Sequence, residues 1–242
     1  MPAVRLLNLT LPTPAENLAC DEALLDQCDA RGGEGFLRFW EPADHFVVVG
    51  YADRVAEEVQ EEACRAERVP ILRRCSGGGT VLQGPGCLNY ALVLPLDRDA
   101  RLHGISDTNQ MVMERHRAAM SEVLGQPLAT RGFTDLALGP LKCSGNAQRR
   151  KRRSLLFHGT FLLGLDLDRM ERLLRMPTKQ PAYRERRPHR DFVINLPLPA
   201  NAIRDALTRC WNACEPGGEI PFREIDRLVQ SRYSQDAWNR RW

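Results

Sequence analysis

The chain has 242 residues and a formal net charge of +3, with 43% hydrophobic and 27% charged residues. That length allows one large domain with a buried core, and the composition is typical of a soluble globular protein. A net charge so near zero gives no reason to expect a nucleic-acid partner. The longest apolar runs, 91–96 and 161–165, are too short to span a bilayer, and the first residues lack the layout of a signal peptide. We therefore expect a cytoplasmic protein without a membrane or nucleic-acid partner.

Apolar periodicity predicts the elements along the chain. In the first half we expect a helix at 16–30, strands at 35–40 and 46–50, an exposed acidic helix at 55–67, and a strand at 87–96 after a glycine-rich turn. In the second half we expect a helix at 107–124 capped by Ser106 or Asp107, and a strand at 131–138 with Asp135 facing inward. A strand at 155–163, a helix from 166, a long loop at 176–189 and helices at 200–214 and 223–233 follow. His116 is expected to be a surface or helix-face residue.

Eight cysteines occur at irregular spacing, without a CxxC pair. Cys210 and Cys214 form a C-x3-C pattern with no matching second pair. The spacing therefore favours free, largely buried thiols in a reducing compartment over a disulfide framework or a zinc site.

The stretch from Arg73 to Gly79, which reads Arg-Arg-Cys-Ser-Gly-Gly-Gly, carries the first chemical signal. Glycine lacks a Cβ, so its backbone adopts positive φ and lets a ligand lie against its N–H groups. Arginine supplies a fixed cation with forked donors that suit phosphate or carboxylate. The motif predicts an anion-binding turn, and the alternative is a tight hairpin with solvated arginines.

Four further motifs follow in order: Leu-Asn-Tyr at 88–90, Thr-Asp-Leu at 134–136, KxSGNAQ at 142–148 and His-Gly-Thr at 158–160. Together with the glycine turn, this set resembles the lipoate–protein ligase A family of the biotin/lipoate ligase superfamily, over nearly the whole chain. The resemblance implies an α/β fold (α+β), a mixed and mostly antiparallel sheet flanked by helices. It implies one catalytic domain at 1–242 without the C-terminal accessory domain of many members, and the chain is then either a single-domain variant or one that a separate accessory subunit completes.

The family's reaction uses ATP and Mg²⁺ to convert lipoate or octanoate to an acyl-adenylate. It then transfers the acyl group to a lysine of a lipoyl carrier protein, either a lipoyl domain or a glycine-cleavage H-like protein. By resemblance, Lys142 contacts the acyl carbonyl and the phosphate, and Asp135 holds Mg²⁺ or orients the incoming lysine. Arg73 and the turn residues Ser76, Gly77, Gly78 and Gly79 flank the acyl chain and phosphate. The other expected ligand-binding residues are Asn89, Gly145, Asn146, Ala147, His158 and Gly159.

The long loop at 176–189 matches the family's mobile loop over the activated intermediate, with Tyr183, Arg184, Arg187 and His189 as candidate contacts. The basic run Arg149–Arg153 has two readings. It is either a solvated hairpin tip or a patch that steers an acidic partner or a nucleotide phosphate.

Two other functions remain open at this stage. One is an ATP-independent octanoyl or lipoyl transferase, in which a cysteine beside a cation, such as Cys143 or Cys75, would form a thioester. Neighbouring side chains of a strand face opposite sides, so Cys143 should face away from the cavity if Lys142 faces it. The family's cysteine transferases place their nucleophile around 133–135, where this chain has no cysteine. The other function is a non-catalytic module that binds an acyl ligand.

Overall fold

The computed structural model describes residues 4–213 and 215–241. Within these residues the chain forms two β-sheets and nine α-helices. The strands are β1 Val4–Asn8, β2 Gly35–Trp40, β3 Phe46–Val49, β4 Ile71–Arg73, β5 Val81–Gln83, β6 Cys87–Pro95, β7 Ala129–Arg131, β8 Asp135–Leu138, β9 Leu141–Arg150, β10 Ser154–Leu162 and β11 Glu215–Pro216. The helices are α1 Pro14–Arg31, α2 Val55–Glu58, α3 Glu61–Ala66, α4 Ile105–Leu124, α5 Leu167–Leu173, α6 His189–Phe192, α7 Ala200–Trp211, α8 Phe222–Leu228 and α9 Asp236–Asn239.

The larger sheet has eight strands in the order β11-β1-β2-β6-β10-β9-β8-β7. β1 runs parallel to β11 and β2, and the remaining neighbours are antiparallel. This mixed, mostly antiparallel sheet flanked by helices confirms the expected fold class. The register places Gly159 of β10 between Tyr90 of β6 and Asn146 of β9, so three of the sequence motifs lie side by side.

The smaller sheet, in the order β4-β3-β5, lies with α1 and α8 on one face of the larger sheet. Helices α4 and α7 cover the opposite face. Successive side chains of β10 point to opposite faces of the larger sheet. Leu155, Phe157 and Phe161 pack toward α4 and α7, whereas Leu156 packs toward α1. The side chains of His158 and Thr160 therefore reach the space between the two sheets.

Helix α1 begins with a capping box, because Thr13 and Glu16 satisfy each other's backbone N–H groups. The helix predicted at 55–67 is instead divided into α2 and α3, since the segment between them pairs with Leu174 through a bridge at Val59. The N-cap residue of helix α4 is Gly104, which provides no side-chain cap, so the expected Ser106 or Asp107 cap was wrong.

The surface position expected for His116 was also wrong. His116 is fully buried and accepts a hydrogen bond at Nε2 from Trp211 Nε1 at 2.8 Å, so the histidine belongs to the α4–α7 core. Burial lowers the pKa of His116 to about 3, with a smaller contribution from Arg115. The imidazole is therefore neutral in the folded protein at ordinary pH.

The basic run is less solvated than expected, because β9 extends to Arg150 and only 151–153 form the turn. Lys151 pairs with Asp26, and Arg153 Nε donates to the Asp29 carbonyl at 2.8 Å. These contacts attach the turn to the end of α1. No helix in the described ranges is long and apolar enough to cross a membrane.

Candidate active site

A cavity of about 550 Å³ lies between the two sheets. Its walls come from α1, the smaller sheet, strands β6, β9 and β10, and the segment 177–193. A volume of this size is typical of a site for a small molecule or cofactor. The apolar part of the lining includes Leu18, Trp40, Val48, Val81, Leu82, Leu162, Met170, Leu174, Phe192 and Val193.

Arg74 holds the glycine turn from inside. Its Nη2 donates to the carbonyl oxygens of Gly77 at 2.6 Å and Gly79 at 2.8 Å, and its Nε donates to Ser76 Oγ at 3.1 Å. Burial lowers the pKa of Arg74 to about 10, which still leaves the guanidinium charged at neutral pH. These contacts fix the backbone of the turn at 76–79, and a fixed turn backbone is what an anion-binding turn requires.

Arg73 lies outside the cavity, contrary to the role expected for it. Its fully buried guanidinium donates to the carbonyl oxygens of Gly50 and Asp53, both at 2.7 Å, and to those of Trp238 at 3.1 Å and Arg241 at 2.9 Å. Arg73 therefore joins β4, the turn after β3 and the segment 238–241. Consecutive residues of an extended chain face opposite ways, so only one of the two arginines reaches the cavity, and that one is Arg74.

Lys142 and Asp135 form an ion pair at the cavity wall, with 2.7 Å between Nζ and Oδ1. A Cβ at Gly145 would lie 2.8 Å from both Cε and Nζ of Lys142, so glycine leaves the space in which the lysine side chain runs. The ammonium thus lies over Gly145, and Ala147, two residues or about 7 Å further along β9, faces the glycine turn at Gly78. A phosphate between these two positions would meet donors from both sides.

Tyr183 connects the long loop to this ion pair. Its hydroxyl donates to Asp135 Oδ2 at 2.8 Å, and burial together with the Asp135 charge raises the pKa of the phenol. The loop is attached at both ends: Glu58 Oε1 accepts from Thr178 Oγ1 at 2.7 Å, and Ile194 N donates to the Lys142 carbonyl at 2.9 Å. The loop therefore closes one side of the cavity.

His158 lies between Ser76 and Asp21 in an order that resembles a nucleophilic triad. Its Nε2 lies 2.5 Å from Ser76 Oγ, and its Nδ1 lies 3.7 Å from Asp21 Oδ2. Ser76, however, is fully buried and does not line the cavity, so a substrate cannot reach its hydroxyl. Ser76 Oγ also accepts a hydrogen bond from Arg74 Nε at 3.1 Å, so Ser76 links the glycine turn to both Arg74 and His158. The arrangement fixes the glycine turn to β10.

Three polar side chains in the cavity wall satisfy one another in a ring. Gln83 Nε2 donates to Thr160 Oγ1 at 2.7 Å, Thr160 donates to Asn89 Oδ1 at 2.5 Å, and Asn89 Nδ2 donates to Gln83 Oε1 at 3.0 Å. Two motifs, Leu-Asn-Tyr and His-Gly-Thr, supply Asn89 and Thr160. The ring costs little to bury because each member has partners.

Asn146 is held by the Leu-Asn-Tyr and Thr-Asp-Leu motifs. Tyr90 Oη donates to Asn146 Oδ1 at 2.6 Å, and Asn146 Nδ2 donates to the Thr134 carbonyl at 2.6 Å. A Cβ on Gly159 would collide with the Asn146 amide, which explains the glycine of His-Gly-Thr. Asn146 thus ties β9, β6 and the turn before β8 together.

The cysteines within the described ranges do not line the cavity. Cys143 is buried on the opposite side of β9, where its Sγ approaches the Leu136 carbonyl, and burial raises its pKa to about 12. Burial likewise raises the pKa of Cys75 to about 12. Neither thiol would form appreciable thiolate at neutral pH. Cys214, the second member of the C-x3-C pattern, lies outside the described residues.

A metal ion bound near the ion pair would be coordinated by the carboxylate of Asp135. The described residues contain no cluster of three His, Cys, Asp or Glu side chains that could hold a metal. Magnesium, however, commonly binds through one or two carboxylates, with substrate phosphates and water completing its shell. Asp135 therefore fits a magnesium ion that arrives with a nucleotide, and does not fit a resident metal.

Residues 13–204 match the family model of the lipoyl protein ligase A/B catalytic domain. The chain belongs to this family. It is thus an enzyme of the lipoate–protein ligase family, with the biotin/lipoate ligase fold. A candidate lipoate-protein ligase A of Aeropyrum pernix is 35% identical over 169 residues, which cover 70% of this chain and 61% of that protein. The chain therefore spans less than two thirds of the length of that relative.

Other relatives bear a different name: the octanoyltransferase LipM of Symbiobacterium thermophilum is 28% identical over 276 residues, 98% of each chain. Among solved structures, a bi-partite lipoate protein ligase from Thermoplasma acidophilum, studied with its E2 lipoyl domain, superposes with a TM-score of 0.84 at 25% identity, over 99% of this chain and 96% of that one. A lipoate-protein ligase A bound with ATP superposes with a TM-score of 0.81 at 26% identity, over 98% of both chains.

Most of the expected site residues line one cavity: Gly77, Gly78, Gly79, Asn89, Asp135, Lys142, Gly145, Asn146, Ala147, His158 and Gly159. Arg73 and Ser76 do not line it. Sequence reasoning missed Arg74, Asp21, Gln83 and Thr160 as cavity residues. For Arg74 and Thr160 a signal existed, since each belongs to a motif already identified, whereas Asp21 and Gln83 carry no local signal.

Proposed function

We propose that this protein is an ATP-dependent lipoate–protein ligase that forms an acyl-adenylate from lipoate or octanoate and transfers the acyl group to a lysine of a lipoyl carrier protein. The observation that carries the proposal is the position of the Lys142 ammonium, beside Asp135 in the wall of the cavity that the glycine turn also lines. We propose further that residues 1–242 act as a single catalytic domain, in the cytoplasm, with a separate accessory subunit as in a bi-partite ligase.

In the first step an oxygen of the acyl carboxylate attacks the α-phosphorus of ATP, and pyrophosphate leaves with the electrons of the broken P–O bond. Both reacting groups are anions, so the enzyme must offset their repulsion. Lys142 would place its charge between the acyl carbonyl and the α-phosphate. The N–H groups of Gly77–Gly79, aligned by Arg74, would bind the phosphate from the opposite side.

In the second step a neutral amine of the acceptor lysine attacks the carbonyl carbon and displaces AMP. The attacking nitrogen must lose a proton, which the Asp135 carboxylate would accept. Asp135 is the carboxylate beside Lys142, and its Oδ1 becomes available to hydrogen-bond the incoming amine once Lys142 turns to the phosphate. Asp135 would also hold magnesium through one oxygen, and the ion would neutralise phosphate charge when bound.

The acyl chain would occupy the apolar part of the cavity, near Leu18, Trp40 and Val81. Each buried methylene there contributes about 0.8 kcal/mol to binding. The long loop, held at Asp135 by Tyr183, would exclude water from the adenylate.

A second candidate is the ATP-independent octanoyl or lipoyl transferase, which the similarity to LipM proteins favours. A thioester on cysteine is disfavoured by the burial of Cys143 and Cys75 away from the cavity. Direct transfer with Lys142 as general acid and base would remain available to this site. A non-catalytic acyl-binding module is the third and least supported candidate, since a binding site alone does not require the Lys142–Asp135 pair.

The experiment is to incubate the purified protein with lipoate, Mg²⁺ and ATP, and an apo lipoyl domain, and to measure the intact mass of the carrier. We expect a lipoyl mass gain that requires ATP and is lost in Lys142→Ala but kept in Lys151→Ala, a matched lysine whose ion pair with Asp26 lies at the β9–β10 turn. Modification from octanoyl or lipoyl thioester donors without ATP would support the transferase instead. Ligand binding with no modification under either condition would support the binding module.

A further inference from the structure

Phe133 is an unusually exposed apolar side chain for this chain. Its side chain is 90% exposed at the mouth of the cavity, compared with 53% for Phe222 on a distant helix. Single exposed apolar residues are common on protein surfaces, so exposure alone does not identify a binding surface. The location and the surroundings of Phe133 are stronger evidence for one.

The turn that bears Phe133 is fixed rather than loose. Thr134 Oγ1 donates to the Asn146 carbonyl at 2.6 Å, and Gly132, with φ of +55°, packs against Pro181 and Tyr183 of the long loop. Phe133 is thus held outward by contacts on both sides. Burying such a pre-positioned aromatic ring in a partner costs little additional ordering.

The distance to the reacting groups restricts what can cover this ring. Phe133 lies two residues from Asp135, so their Cα atoms are at most about 7 Å apart. An acceptor lysine reaches the site on a stem of only four carbons, so the backbone that carries it must come close to the cavity mouth. Any protein that presents this lysine therefore contacts the turn at 132–134.

The surface around the mouth is positively charged. The loop 176–189 carries Lys179, Arg186 and Arg187 at its surface and the buried Arg184 against one carboxylate, Glu185, which gives a net charge of +3, as large as that of the whole chain. Arg131, two residues before Phe133, adds another exposed cation. Among the described residues Arg131, Lys179 and Arg186 form no ion pair, so their charges are directed at solvent.

We propose that Phe133 and this cationic rim are the docking surface for the acceptor protein. Its occupant is the acceptor protein, with acidic side chains opposite the cationic rim and an apolar side chain near the target lysine to receive Phe133. Aromatic anchors surrounded by a charged rim are the usual arrangement of specific interfaces, and charge complementarity mainly speeds association. The inference rests on the proposed ligase function.

The test compares Phe133→Ala with Phe222→Ala, because both replace an exposed phenylalanine. Lipoyl-adenylate formation is measured without carrier, and transfer is measured over a range of apo lipoyl domain concentrations. We expect Phe133→Ala to raise the KM for the carrier at least tenfold while adenylate formation changes less than twofold. Phe222→Ala should change neither.

Two charge-reversal variants test whether the cationic rim contributes to docking. Arg131→Glu should raise the carrier KM at least fivefold at low salt and less at high salt, whereas Arg117→Glu, on the exposed side of α4, should not. If the wild-type enzyme transfers lipoate and Phe133→Ala behaves like Phe222→Ala, the docking surface is wrong and the ligase function stands. If the wild type forms no adenylate and modifies no carrier, the ligase function itself fails.

Discussion

The Lys142 ammonium and the Asp135 carboxylate neutralise each other, with 2.7 Å between Nζ and Oδ1. If Lys142 binds phosphate as proposed, the incoming anion has to draw the ammonium away from Asp135. The strength with which Asp135 is held therefore sets how easily Lys142 is released. The residue that holds the other oxygen of Asp135 is Tyr183.

Replacing Tyr183 by phenylalanine removes the hydroxyl and keeps the ring packed against Phe192. A hydrogen bond to a charged group contributes about 1.5–3 kcal/mol, so we expect the transfer rate to fall roughly tenfold or more. The measurement is kcat for carrier modification. In an Asp135→Asn background the same replacement should have little further effect; full additivity of the two changes would contradict the coupling.

Arg73→Met should destabilise the fold, because it leaves several buried carbonyl oxygens around Gly50, Asp53 and Arg241 without donors. Each such loss costs about 1–3 kcal/mol, so we expect the free energy of unfolding to fall by about 3 kcal/mol or more. Urea unfolding followed by circular dichroism measures this. Arg152→Met, on the exposed β9–β10 turn, should stay within about 0.5 kcal/mol of wild type.

Gly78→Ala and Gly77→Ala form a matched pair within the glycine turn. Gly78 has φ of +84°, and an added Cβ would lie 3.0 Å from Arg74 Nη2, whereas a Cβ on Gly77 meets nothing within 4 Å. We expect Gly78→Ala to lower stability by about 1 kcal/mol or more and Gly77→Ala to leave it unchanged. Gly77→Ala should nevertheless raise the KM for ATP, because its methyl group enters the space assigned to the phosphate. An unchanged KM would place the phosphate elsewhere.

Acid should destabilise the protein through His116. Its pKa is about 3 in the folded state and about 6.5 when unfolded, so below pH 6.5 the unfolded chain binds a proton that the folded chain does not. Stability is therefore complete above pH 6.5 and falls as the pH drops toward 3, by at most about 1.4 kcal/mol per pH unit from this residue. Urea unfolding between pH 7 and 4.5 measures the slope, which should be shallower in His116→Gln.

The control for this pH dependence is His103→Gln, because His103 is exposed. This variant should retain the wild-type slope. A His116→Gln variant with the same slope as wild type would show that other groups, such as His189, whose pKa burial also lowers, account for the acid sensitivity.

Much of the fold follows from local patterns. Helix α1, strands β6 and β10 and the loop before α6 occur close to the positions that periodicity and composition predict. The residues of the motifs at 142–148 and 158–160 are adjacent in space because β9 and β10 form a hairpin, which their order in the sequence already suggests. The short spacing between Lys142 and Gly145 in the sequence already places the lysine beside the glycine that leaves room for its side chain.

What the sequence could not predict depends on contacts between distant segments. The burial of His116 requires Trp211 of α7, and the role of Arg73 requires backbone oxygens of residues 50–53 and 238–241. Arg73 and Arg74 are chemically identical, so local sequence cannot say which one faces the cavity. That choice follows from the orientation of β4 against β3, and orientation is a property of the assembled sheets.

The attachment of Arg73 to segment 238–241 also orders events during translation. Arg73 is made early, yet the carbonyl groups of Trp238 and Arg241 that accept its hydrogen bonds emerge from the ribosome more than a hundred residues later. Until then the guanidinium lacks these acceptors, and β4, which leads into the turn at 76–79, lacks its attachment to segment 238–241. The nascent chain should therefore gain the proposed ability to bind nucleotide only after residues 238–241 have emerged, which separates the appearance of most of the fold from the appearance of activity.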